Sequence, residues 1–130
     1  KISKIEEISD IFDEILVVRY MNIKFEQFSE CKKPPIVGNQ TIIPIMDSRE
    51  LLREQLEQEN CVYSYLEVIL RGEYFIYKII SEERATLGVK ISPSKKCEID
   101  QLYLKNNKIV SSKTKQLVDN WIAVNNKLIN

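Results

Sequence analysis

Between Tyr74 and Leu104 three β-type segments follow one another with links too short to hold a crossover helix, and this constrains the fold more than any other feature. A parallel pair needs a connection of a dozen or more residues, so these segments are expected to form an antiparallel meander. Tyr74 to Ile80 is apolar or aromatic on both faces, as suits a strand covered on two sides. Arg84 to Ile91 alternates, with Ala85, Leu87, Val89 and Ile91 on one face and Arg84, Thr86, Gly88 and Lys90 on the other. The turn-forming run Ser92 to Lys96 precedes a third strand, about Cys97 to Leu104, in which Ile99, Gln101 and Tyr103 are expected to share a buried face.

The flanking segments read as helices and one further strand. Ile5, Ile8, Phe12 and Ile15 stand at amphipathic spacing, predicting a helix over about Ser3 to Met21. Cys31 to Pro35 is an extended connector, because Pro34 and Pro35 each lack a donor and disfavour helix before them. Gly38-Asn39 turns into a strand, Thr41 to Ile45, where Pro44 favours an edge position. Asp47 then caps a helix whose apolar side is Leu51, Leu52 and Leu56, with Glu50 three residues on as in a capping box. Asn60 is expected to cap another helix, Cys61 to Leu70, closed by Gly72. Lys105 to Lys108 reads as a turn. After Ser111 or Ser112 the last helix places Leu117, Trp121, Val124 and Leu128 on one face. The expected fold is α+β: one antiparallel sheet of three to four strands packed against helices, in the order α-β-α-α-β-β-β-α. Residues 1–40 form a helical lead-in and proline-rich connector, the expected tail of a longer N-terminal region, and residues 41–130 form the domain.

Composition excludes several functions. At 130 residues with 44% hydrophobic and 29% charged side chains, the chain is an ordinary globular domain that can build a core without metal or disulfide. Lys+Arg and Asp+Glu both number 19, so no global field draws nucleic acid or an anionic membrane. Histidine is absent, which removes imidazole catalysis, His-ligated zinc and a Cys-His nucleophile. Cys31, Cys61 and Cys97 are odd in number and widely spaced, fitting neither a disulfide framework nor a zinc knuckle. Free thiols predict a cytoplasmic protein. No apolar run is long enough to span a bilayer, and the charged start lacks the apolar core of a signal peptide. No cofactor and no metal are expected.

Local charge is less even. Residues 91–130 hold 7 basic and 3 acidic side chains, with Lys105, Lys108, Lys113 and Lys115 close together. Nucleic-acid contact through these four lysines is one reading, weakened by the lack of interleaved aromatics.

Asn60-Cys61-Val62-Tyr63-Ser64-Tyr65 is the most informative stretch. A cysteine in a first helical turn has its thiolate stabilised by the free N–H groups there, and Tyr65 one turn on would bring its hydroxyl near the sulfur. Against this stands the commoner role of a free cysteine as a small core residue. Arg84 is either an anion-binding or thiol-activating charge, or a surface cation paired with Glu82 or Glu83. Thr86 shares its face and has strong strand propensity. Gln101 must find partners if buried, in a ligand or in a loop's backbone. Asn106 suits a turn through its tolerance of left-handed geometry. Trp121 is expected in the core.

From Thr41 to Trp121 the sequence resembles the PcfJ-like domain, found in proteins of conjugative plasmids and other mobile or accessory bacterial loci. The residues carrying the likeness are Ile43-Pro44-Ile45, the Glu-rich helix, Asn60-Cys61-Val62, Tyr65, Gly72, Tyr74-Phe75-Ile76-Tyr77, Glu83 to Leu87, Gln101, Asn106 and Trp121. Many relatives carry a histidine immediately before the Cys-Val pair, where this chain has Asn60. The resemblance implies a fold and a setting, and it marks Asn60, Cys61, Tyr65, Arg84, Thr86, Gln101 and Asn106 as candidate binding residues. Two functions follow. The first is a non-catalytic interaction module whose partner is another protein or the preceding N-terminal region. The second is a cysteine-dependent or anion-binding enzyme centred on Cys61 with Tyr65, Arg84 and Gln101.

Overall fold

In a computed structural model the described residues are 29–128. The expected helix from Ser3 to Met21 lies outside them. The elements are β1 (Ile42–Pro44), α1 (Ser48–Gln58), a 3-10 turn (Val62–Tyr65), α2 (Leu66–Leu70), β2 (Tyr74–Ile80), β3 (Arg84–Ile91), β4 (Cys97–Leu104), a second 3-10 turn (Lys105–Asn107), β5 (Lys108–Ile109) and α3 (Ser112–Leu128). All five strands form one antiparallel sheet in chain order. The domain is α+β, with one strand more than expected because Lys108 and Ile109 pair with Leu104 and Tyr103 instead of only turning the chain.

Helices cover both sheet faces. On one side Phe75, Tyr77, Ala85, Leu87, Val89, Cys97 and Leu102 pack with Val118 and Ile122 of α3. Trp121 adds an edge-on contact to Tyr77, ring centroids 5.0 Å apart, so it anchors the core as expected. Ile36 of the connector is buried here too, and its carbonyl accepts the Tyr77 hydroxyl at 2.8 Å. On the other side Tyr74 and Ile76 pack under Ile45, Leu51, Val62 and Ile69.

Local signals account for most boundaries. Asp47 Oδ1 accepts the Glu50 N–H at 2.7 Å and starts α1. Gly72, at φ 76°, ends α2 in a Schellman arrangement: its own N–H bonds Ile69 O at 2.9 Å, and the Glu73 N–H bonds Val68 O at 3.0 Å. Ser111 Oγ accepts the Thr114 N–H at the head of α3. Pro44 lies in the edge strand, where its missing donor costs nothing.

Three expected faces differ. In α1 Leu56 is exposed, and Glu54 and Gln58 are buried with Leu51 and Leu52. In α3 Leu117, Val124 and Leu128 are exposed, because Thr114, Val118 and Ile122 meet the sheet. In β4 the register slips between Gly88 and Val89, so that Gly88 faces Gln101 while Val89 faces Ile99. Asp100 is the extra residue of a β-bulge, and the parity of side chains reverses across it. Ile99 therefore joins the α3 side, whereas Gln101 and Tyr103 fall on the side of α1.

Candidate functional site

The polar centre of the domain is built where α1 crosses the start of β3. Glu54 follows Leu51 by three residues and precedes Gln58 by four, so all three lie on the helix side that meets the sheet. Its carboxylate is 2% exposed. A buried carboxylate is costly unless paired and hydrogen-bonded, and Glu54 is both. Arg84 donates from Nη1 to Oε2 at 3.0 Å and from Nη2 to Oε1, a two-pronged pair. Thr86, two residues along the same strand face, donates its hydroxyl to Oε2 at 2.5 Å. Asn60 Nδ2 in turn donates to Thr86 Oγ1 at 3.2 Å, while Asn60 Oδ1 accepts the Val62 N–H at 3.2 Å.

Three of the candidates, Asn60, Arg84 and Thr86, thus belong to one network, and its centre is Glu54. Arg84 does not pair with Glu82 or Glu83. Those residues turn toward α3: Glu82 meets Lys113 at 2.8 Å, and Glu83 accepts from the Ser111 N–H, the Ser111 hydroxyl and the Thr114 hydroxyl. These bonds hold the Glu83 carboxyl below its ordinary range, the Thr114 hydroxyl contributing most.

Gln101 is part of a second network. Its Nε2 donates to Tyr74 Oη at 2.9 Å, and that hydroxyl donates to Asp100 Oδ2 at 2.7 Å. Burial, then the Asp100 carboxylate, pushes the Tyr74 hydroxyl well above its usual range. Gly88 makes room for this: a Cβ there would lie 2.2 Å from Tyr74 Oη and 2.7 Å from Gln101 Cγ. The bulge sets Asp100 and Gln101 side by side against Tyr74, whose hydroxyl bonds both.

Cys61 is exposed and stands just before the 3-10 turn rather than inside the first turn of an α-helix. The expected helix from Cys61 to Leu70 is divided, and its α-helical part, Leu66–Leu70, begins beyond the thiol. The dipole argument for an activated thiolate therefore loses its basis. Exposure equally removes Cys61 from the core. Tyr65 stacks on Tyr74, ring centroids 4.7 Å apart. The less exposed thiols are elsewhere: in half-buried Cys31 burial, with Asp47 and Glu50 nearby, pushes the thiol up to about 11, and burial alone raises buried Cys97.

Cys61, Arg84 and Gln101 consequently do not line one pocket. An open hollow of about 700 Å³ is walled by Ser64, Tyr65, Glu73, Tyr74, Ser92 and Pro93 among others, and Tyr65 is the one candidate residue in it. Two of its polar groups are engaged, Glu73 with Arg71 at 3.2 Å and Ser64 Oγ with Cys61 O at 2.6 Å. Asn106 has φ 60°, the left-handed geometry expected of it, and the adjacent Lys105 lies 3.9 Å from Glu59. Lys113 and Lys115 are likewise matched with Glu82 and Asp119, so three of the four lysines each face a carboxylate.

Glu54, Tyr74 and Asp100 are the network members that the sequence reading does not mark. The position of Glu54 in phase with Leu51 was the signal available for it. Among the described residues no cluster of His, Cys, Asp and Glu side chains has the geometry to hold a metal ion, and no helix is long and apolar enough to cross a membrane. The chain matches no family model, no curated protein and no solved structure.

Proposed function

We propose that this chain is a non-catalytic interaction module of PcfJ-like type, working in the cytoplasm as part of a mobile-element or defence-associated bacterial protein. The observation that carries the reading is the closure of the Glu54 network. Asn60, Arg84 and Thr86 are joined through Glu54 and the Asn60–Thr86 bond, and their other partners are local protein groups: the Ala85 carbonyl and the Glu57 carboxylate for Arg84, the Val62 N–H for Asn60. A site that turns over substrate needs groups aimed at where the reacting atoms will sit, whereas a set of side chains satisfied by each other fixes one geometry of helix and sheet. The residues that carry the PcfJ-like resemblance include these three, so the resemblance marks a structural centre of the domain. Free cysteines support the cytoplasmic setting. The partner is another protein surface or the preceding N-terminal region, since the carboxylates beside Lys105, Lys113 and Lys115 offset positive charge that would otherwise meet phosphates.

Alkylation of Cys61 tests the reading against the cysteine-enzyme alternative. Labelling at Cys61 is followed by mass spectrometry in the parent and in Arg84→Gln, with circular dichroism to confirm that the variant is folded. The module reading expects equal rates, because Arg84 is committed to Glu54. A Cys61 rate that falls sharply in folded Arg84→Gln means that Arg84 activates the thiol, and the module reading is then wrong.

A further inference from the structure

We draw no further inference here: the strongest candidate, the exposed apolar flank of α3 formed by Leu117, Val124 and Leu128, carries nothing because nothing in the structure shows what covers it.

Discussion

Arg84 grips the carboxylate of Glu54 with two guanidinium nitrogens across thirty positions of sequence, joining the side of α1 to the first residue of β3. The two ends differ in surroundings: Glu54 is 2% exposed and Arg84 31%. Removing the arginine therefore leaves a buried charge with the Thr86 hydroxyl as its remaining close donor. Removing both charges leaves no buried ion without its partner.

Arg84→Gln is expected to lower unfolding stability by about 2–4 kcal/mol, somewhat under the usual cost of breaking a buried pair because Arg84 reaches solvent. Glu54→Gln combined with Arg84→Gln should cost less than the two single changes added together. Urea unfolding of the four proteins closes this double-mutant cycle. Strictly additive losses would mean that the pair contributes no coupling.

Glu83 gives a pH signature. Its folded carboxyl lies below the ordinary value of 4.5 because the Thr114 hydroxyl and the Ser111 N–H and hydroxyl favour its charged form. A carboxyl depressed on folding contributes stability that is present above its unfolded value and is lost as pH falls through the folded one. Glu83→Gln should thus lower the urea midpoint at neutral pH and approach the parent in the acid range. Glu50 runs the other way: burial, then Asp47, raises its carboxyl. Its charged form is disfavoured on folding, and Glu50→Gln should not lower the midpoint at neutral pH. A constant gap between Glu83→Gln and the parent from neutral to acid pH would contradict the assigned bonds.

How much of this was readable in the sequence varies by element, for physical reasons. Links too short for a crossover dictated the meander, and Asp47, Gly72 and Ser111 act through bonds within a few residues of themselves, so they were visible locally. Glu54 was not. A Glu inside Arg-Glu-Leu-Leu-Arg-Glu-Gln-Leu is a solvated helix residue by every local rule, and only Arg84 and Thr86, far along the chain, make its burial tolerable. The Asp100 bulge has the same character. Alternation puts Ile99, Gln101 and Tyr103 together, yet one inserted residue separates Ile99 from the other two, which lie on the opposite face. Of the candidate residues, Asn60, Arg84 and Thr86 come together, while Gln101 joins Tyr74 and Cys61 remains in solvent.

Helix orientation can be checked by paired truncations. In α1 Leu51 is fully buried and Leu56 is 42% exposed. Leu51→Ala should cost roughly 2–5 kcal/mol, the range for emptying a core leucine, whereas Leu56→Ala should stay within about 1 kcal/mol. In α3 Val118→Ala should likewise be far more costly than Val124→Ala. The sequence pattern alone favours the opposite in α3, because Leu117, Val124 and Leu128 carry the regular apolar spacing and Thr114 looks polar. Thr114 is on the buried side since Glu83 accepts its hydroxyl. Thermal unfolding of the four variants decides which pattern holds.

Gly88 tests the second network. It sits mid-strand, where glycine weakens a sheet unless something must approach closely, and here the Tyr74 hydroxyl does. Gly88→Ala places a methyl group against Tyr74 Oη and Gln101 Cγ, so one of them must leave. The expected cost is about 1–3 kcal/mol, typical of overpacking. Tyr74→Phe removes the atom nearest the new methyl group. In the Gly88→Ala background it should return part of that loss, although in the parent it is destabilising because Gln101 and Asp100 lose their shared partner. Urea midpoints of the parent, both single variants and the double variant give the comparison. A Gly88→Ala protein as stable as the parent would mean that Tyr74 is not held over Gly88, and the bulge at Asp100 would then lack the role assigned to it.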